Sequence, residues 1–98
     1  MNIIGSRIDG RLIHGQVANL WIPKLQIDRV IVVDDKISEN QIEKSGLRLA
    51  TPTGVNLSVL TVDRAKKQLN DERYGEQKLF IVAKSPVTFL KLIEGGVP

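Results

Sequence analysis

The strongest constraint on the fold is an alternation of apolar, β-rich runs with helix-like runs along the 98 residues of the chain. The clearest run is 29–34, whose four consecutive aliphatic residues suit a strand that is buried on both faces, as in a parallel sheet. Further strands are predicted at 2–8, 55–60 and 78–83. This order predicts an α/β fold with an open, mainly parallel sheet, helices on both faces and right-handed crossovers.

Helix signals lie in the segments that follow the strands. The first helix is predicted to begin at His14 or Gly15 and to continue through Trp21, with Pro23 ending it or marking its last turn. The second is predicted over 39–50, with Ser38 as its N-cap.

The other two helices are predicted over 62–69 and 87–93. Thr61 or Asp63 is expected to cap the earlier one, and Ser85, which a proline follows, is expected to begin the later one. Gly5 interrupts the first strand pattern and predicts a close approach of another group to the backbone.

The length of the chain allows one domain at most. The sequence ends shortly after the last predicted helix, where a further strand is expected. Residues 1–98 are therefore predicted to be the N-terminal part of a single, truncated domain.

Composition excludes several classes of function. The chain has no cysteine, which excludes disulfides, thiolate catalysis and cysteine metal sites, and with a single histidine no metal or cofactor site is predicted. A Mg²⁺ ion held by Asp34, Asp35 and a phosphate stays open as an alternative. The net charge of +3 is spread along the chain and aromatic residues make up 4%, so no nucleic-acid partner is predicted. Without a bilayer-length apolar run or a signal peptide, we expect a cytoplasmic location.

The single histidine gives the main functional signal. His14 lies in the run Arg7-Ile8-Asp9-Gly10-Arg11-Leu12-Ile13-His14-Gly15-Gln16-Val17, at a predicted strand-to-helix turn. An imidazole with a pKa near ~6.5 is largely neutral at cytoplasmic pH and can act as a nucleophile. Arg11 offers a planar fork for phosphate, and a helix beginning at the histidine points free N–H groups at the same place.

Other polar residues are predicted at the same edge of the sheet, because ligands of open α/β sheets gather outside the carboxyl ends of the strands. They are Asp34, Asp35, Thr61, Asp63, Lys84 and Ser85. Simpler interpretations stay open. His14 could be a surface or cap residue, and Asp9 could cap the turn or pair with an arginine. Asp34 and Asp35 could simply end a strand and start a turn, and Lys84 and Ser85 could simply start a helix.

The histidine segment, together with Trp21, resembles the active-site signature of the IIB component of the mannose/fructose/sorbose-type phosphotransferase system. The runs 29–35 and 92–97 are also similar to that family, so the resemblance covers the whole chain. It implies an open α/β domain that continues beyond residue 98.

The resemblance also implies a role in sugar uptake. His14 would accept a phosphoryl group from a phosphohistidine of the IIA partner and pass it to a sugar held by the membrane components IIC and IID. Arg11 would stabilise the phosphate and Asp9 would shape the loop. A homodimer that associates peripherally with the membrane permease is implied as well. Other IIB types carry the phosphate on cysteine, which is impossible here.

Two departures and two alternatives accompany this resemblance. Gly10 stands where family members often carry a polar side chain, and Ser6 where alanine is common. One alternative is a non-enzymatic phosphate- or nucleotide-binding module, although the chain has neither a Walker A sequence nor a dinucleotide glycine fingerprint. The other is an interaction fragment that associates through an open sheet edge.

Overall fold

The structure, a computed structural model, describes residues 2–8, 22–71 and 73–96. Strands and helices alternate through this part of the chain. They are β1 (Asn2–Ile8), α1 (Ile22–Leu25), β2 (Arg29–Val33), α2 (Gln41–Ala50), β3 (Asn56–Leu60), α3 (Val62–Asn70), β4 (Lys78–Ala83) and α4 (Pro86–Glu94). A short 3₁₀ helix, Ile37–Glu39, precedes α2.

The described strands form one sheet in the order β1-β4-β2-β3, and every pair of neighbours is parallel. The predicted open, parallel sheet is confirmed, and each predicted strand is present to within one residue at either end. Because all the strands run in one direction, their carboxyl ends meet at one edge of the sheet.

Strand β2 shows why the sheet is covered on both sides. Val30 and Val32 lie in one apolar cluster, Ile31 and Val33 lie in another, and all four are 0% exposed. The first cluster includes residues of α1 and α2, and the second includes residues of α3 and α4. Helices therefore cover both faces, as predicted, and burial of each aliphatic side chain contributes about 1.5–3 kcal/mol.

The predicted start of the second helix is wrong. Helix α2 begins at Gln41, and its N-cap is Asn40, whose side chain accepts a hydrogen bond from the Glu43 amide. Ser38 lies instead in the 3₁₀ helix, where its hydroxyl donates to the Asp35 carbonyl at 2.9 Å. The reason is that the Asp34 carboxylate accepts the Ile37 amide and orders the turn before α2, so that α2 begins two residues later than predicted.

The later helix starts are confirmed. Thr61 caps α3 by accepting the Arg64 amide at 3.1 Å. Ser85 occupies the N-cap position of α4 with Pro86 in the first turn, although its side chain makes no capping bond. Pro23 is the second residue of α1, and its predicted place at the end of the preceding helix depends on residues outside the described part of the chain. The helix predicted over residues 14–21 lies outside the described residues.

The prediction at Gly5 is also confirmed. A Cβ atom at this position would lie 2.8 Å from two ring carbons of Phe80, and the β1–β4 register shifts between Ile3 and Gly5. The absence of a side chain lets β1 pass directly over the buried aromatic ring.

Candidate functional site

The carboxyl ends of the strands form one continuous edge. Ile8 at the end of β1 lies opposite Ala83 of β4. Val32 lies opposite Val82 on the other side of β4, so β2 ends beside it. The points at which β1, β4 and β2 end therefore lie side by side, at the edge where ligands bind in such folds.

The three predicted site residues, Asp9, Arg11 and His14, lie outside the described residues. The residues on either side of their segment are described. Ile8 ends β1 at the carboxyl edge, and Ile22, the first residue of α1, is 2% exposed and lies in the core cluster that includes Leu47 of α2. The segment that carries the histidine therefore leaves the sheet at the edge where ligands bind in such folds.

Asp34 orders the turn that follows β2. Its Oδ1 accepts the amide hydrogens of Lys36 at 3.0 Å and Ile37 at 2.9 Å, and its own amide donates to the Leu60 carbonyl at 3.0 Å. Such side-chain capping of a turn is the ordinary role of aspartate after a strand. The simpler interpretation of Asp34 as a strand-ending turn residue therefore describes its contacts.

Asp35 ties two neighbouring segments together. Its Oδ1 accepts the amide hydrogen of Val62, the first residue of α3, at 2.8 Å. Together with the Thr61 cap, this bond satisfies N–H groups that a helix start otherwise leaves unpaired. The amides of Val62 and Arg64 at the start of α3 are thus paired with protein acceptors.

Sequence reasoning missed the bond between Asp35 and Val62. The two residues are 27 positions apart, and only the pairing of β2 with β3 brings them together. Two consecutive aspartates after a buried strand were the available signal, but a turn alone explains that pattern.

Lys84 and Ser85 lie next to the point where the histidine segment begins. They follow β4, the neighbour of β1, and Lys84 is exposed. In the described ranges, no carboxylate lies within ion-pair distance of the Lys84 ammonium group. Arg7, the next-to-last residue of β1, and Lys84, which directly follows β4, both add positive charge to that side of the edge.

Metal binding finds no support in this part of the chain. Among residues 2–8, 22–71 and 73–96, no three acidic or histidine side chains are grouped closely enough to hold an ion. The carboxylates of Asp34 and Asp35 are instead committed to backbone amides.

Comparison with known proteins decides the family. Residues 3–98 match the sequence profile described as PTS system sorbose subfamily IIB component. The chain belongs to this family. The resemblance carried by the histidine segment and by the 29–35 run is thereby confirmed.

Individual relatives agree with this assignment to the sorbose-subfamily IIB family. The chain is 36% identical over 98 residues to the fructose-specific EIIB component of Bacillus subtilis (strain 168), covering all of this chain and 60% of that protein. It is 35% identical over 96 residues to the mannose-specific EIIAB component of Escherichia coli (strain K12), covering 97% of this chain and 30% of that protein.

A solved structure shows the same fold. The IIBSor domain of the sorbose permease from Klebsiella pneumoniae superposes with a TM-score of 0.92 at 30% identity, over 100% of this chain and 60% of that one. The chain thus spans about 60% of the length of the IIB relatives that it matches. Within the described residues, the helices are too short or too polar to cross a bilayer.

Proposed function

We propose that this chain is the N-terminal part of a single IIB-type phosphocarrier domain, in which His14 carries the phosphoryl group. The observation that carries the proposal is the position of β1. This strand ends at Ile8 on the carboxyl edge, and His14 follows six positions later in a segment that contains Arg11 and two glycines. Membership of the sorbose-subfamily IIB family supports the same chemistry.

The proposed reaction has two transfers. An imidazole nitrogen of His14 forms a bond to phosphorus while the N–P bond of a IIA phosphohistidine breaks; the donor histidine leaves as neutral imidazole, taking up in the net reaction the proton that His14 loses. The N–P bond on His14 then breaks as a sugar hydroxyl oxygen attacks phosphorus, and His14 leaves as neutral imidazole that takes up, in the net reaction, the proton of that hydroxyl. The protein would thus act as a protein-N(π)-phosphohistidine–sugar phosphotransferase, with Arg11 stabilising the equatorial phosphate oxygens and Asp9 shaping the loop.

The proposed partners are the IIA phosphocarrier and the membrane components IIC and IID. The matched relative from Escherichia coli is named an EIIAB component, and this supports IIA as the phosphoryl donor. A cytoplasmic location at the permease belongs to the same proposal. So does the homodimer that the family resemblance implies, which sedimentation velocity at two protein concentrations tests.

Family membership does not favour the alternative of a non-enzymatic nucleotide-binding module. The sequence also carries neither of the glycine-rich phosphate-binding fingerprints that such modules use.

His14→Ala tests the proposal directly. The protein is incubated with phosphoenolpyruvate, the general phosphorelay proteins and the partner IIA, and acid-labile phosphate on the chain is measured. We expect labelling of the wild type and none of the variant, because the nucleophilic nitrogen is gone. Circular dichroism and a melting curve show whether the variant is folded, and His14→Gln serves as a second variant. Equal labelling of a folded variant and the wild type would refute the proposal.

Arg11→Ala tests the phosphate-stabilising role. Loss of one donor to the transferring group is expected to slow phosphoryl transfer on the order of 10²-fold while changing the unfolding free energy little. Arg48→Ala is the control, because Arg48 is an exposed arginine near the end of α2. The role is wrong if Arg11→Ala transfers phosphate as fast as Arg48→Ala.

A further inference from the structure

A pocket at the β3 edge of the sheet, on the face covered by α3, is lined by several cationic side chains. We call it the arginine pocket, and its volume is about 360 Å³. Its polar lining consists of Arg29, Ser58, Arg64, Gln68, Arg73 and Tyr74. Among the described residues, its lining includes no carboxylate.

Neighbouring groups hold Arg29 in a fixed position within the arginine pocket. Its Nε donates to Oε1 of Gln77 at 2.9 Å, and its Nη1 donates to the hydroxyl of Ser58 at 2.8 Å. The guanidinium carbon lies 4.8 Å from the ring centre of Tyr74. The hydroxyl of Tyr74 in turn donates to Oε1 of Gln68 at 2.6 Å.

All of these partners are neutral, so Arg29 keeps its full positive charge. The remaining guanidinium N–H groups have no acceptor in the described part of the chain. A guanidinium that is already oriented and still has donors to spare is suited to hold a planar or tetrahedral anion, because little side-chain entropy is lost on binding.

Arg64 and Arg73 complete the arginine pocket from α3 and from the loop before β4. Both side chains are exposed, and both also line an adjoining groove with Lys67 and Asp71. Cations therefore outnumber carboxylates across the two described surfaces. This excess produces a positive potential that attracts an anion into the concave region.

The arginine pocket is separate from the edge that carries the histidine segment. The pocket extends from Arg29 at the start of β2 to Leu60 at the carboxyl end of β3. The histidine segment follows β1, which is separated from β3 by β4 and β2, so three strand spacings of about 4.8 Å put β1 roughly 14 Å from β3. A small ligand in the arginine pocket would not occupy the place of a phosphoryl group near β1.

We propose that the arginine pocket binds a phosphate monoester of a small metabolite. A pocket of this volume falls at the lower end of the range for small-molecule sites, which favours a small ligand over the extended surface of a protein partner. A planar guanidinium can donate two parallel hydrogen bonds to a pair of phosphate oxygens. Several converging arginines therefore favour a doubly charged phosphate ligand over a singly charged carboxylate ligand. The proposal does not depend on phosphorylation of His14.

The test is a titration followed by ¹H–¹⁵N correlation spectra at constant ionic strength, with glycerol 3-phosphate, inorganic phosphate and acetate as separate probes. We expect saturable one-to-one binding of glycerol 3-phosphate that shifts the Arg29 Nε–H signal and the amides of Ser58 and Tyr74. Inorganic phosphate is expected to bind more weakly and acetate not to saturate. The same shifts are expected in His14→Ala, which separates this site from the proposed phosphocarrier site.

Substitutions then localise the site. Arg64→Ala and Arg73→Ala are each expected to weaken binding about fivefold, and both together at least tenfold, as loss of exposed charged contacts would predict. Arg48→Ala removes the same charge from α2 on the opposite face of the sheet and is expected to leave binding unchanged. Melting curves check that each variant is folded. Equal weakening by Arg48→Ala, or the absence of saturable binding of glycerol 3-phosphate, would overturn the proposal.

Discussion

The two edges of the described sheet differ in chemistry. Beside β1, a groove of about 560 Å³ runs between the strand and α4 and is lined mainly by apolar side chains. The apolar ones are Ile3, Ile8, Ile81, Phe89, Leu92 and Ile93, and the two polar ones are Ser6 and Arg7. Beside β3, the arginine pocket is lined mainly by polar and cationic groups.

Because the linings differ, removing each edge from water changes the free energy in a different direction. Burial of the apolar groove releases free energy of about 25 cal/mol for each Å² removed from water. Burial of the arginine pocket costs free energy unless an anion or hydrogen-bond acceptors replace the lost water. The β1 edge is thus suited to contact with further polypeptide, whereas the β3 edge is suited to solvent or to a charged ligand.

The largest effect on stability is expected at the β1 edge, from Gly5→Ala. The new Cβ would meet the ring of Phe80 at 2.8 Å, and Phe80 is 1% exposed, so the ring has no free space to enter. Overpacking of this kind costs about 1–3 kcal/mol. Urea unfolding measures the change in unfolding free energy.

Gly46→Ala is the matched control for Gly5→Ala. Gly46 lies within α2, and a Cβ there meets nothing within 4 Å. We expect it to stabilise the protein by about 0.5–1 kcal/mol, because alanine is a better helix former than glycine. The close packing assigned to the β1 edge would be wrong if both variants changed stability in the same direction.

A smaller effect is expected at the β3 edge, from Arg29→Lys. Lysine keeps the charge but cannot reach Gln77 and Ser58 with one planar fork, so about 1 kcal/mol of stability is lost. Arg48→Lys on exposed α2 is expected to change stability by less than about 0.5 kcal/mol. Thermal melting compares the two, and an equal melting temperature for both variants would show that the Arg29 contacts contribute no stability.

The smallest change in stability is expected from Ile93→Lys, although its effect on association is informative. Ile93 is 63% exposed beside the apolar groove, so the unfolding free energy should move by less than about 0.5 kcal/mol. If the β1 edge drives self-association of the isolated chain, sedimentation velocity should show less of it in this variant. Ile42→Lys, at an 86% exposed position on α2, should leave association unchanged; the opposite pattern would place the contact on α2.

Prediction from sequence succeeded where short-range patterns carry the information. The run 29–34 was predicted as a buried strand, and β2 is indeed buried on both faces, because four consecutive aliphatic residues leave no polar face. Gly5 was predicted to mark a close approach, and Phe80 provides it. In contrast, Ser38 and Asn40 are both good N-caps, and the choice between them depended on where Asp34 and Asp35 fix the preceding turn.

For the candidate site too, the sequence reveals the residue types, whereas the long-range contacts are seen only in the structure. The chemical groups of the site were visible as residue types, and the assignment of His14 and Arg11 stays a prediction that the phosphorylation experiments test. The link from Asp35 to Val62 and the assembly of Arg29 with Ser58 join residues 27 and 29 positions apart. No periodicity or motif predicts such contacts.

The sequence alone determined the succession of strands and helices, the burial of β2 on both faces, and the presence of a single histidine with no cysteine as an alternative carrier. Only the tertiary structure decided that β4 lies between β1 and β2, and therefore which edge is apolar and which is cationic. The physical reason is that hydrophobic periodicity specifies which face of an element is buried. The backbone hydrogen bonds that join parallel strands are the same for every residue, so the order of the strands depends on how all the side chains pack together.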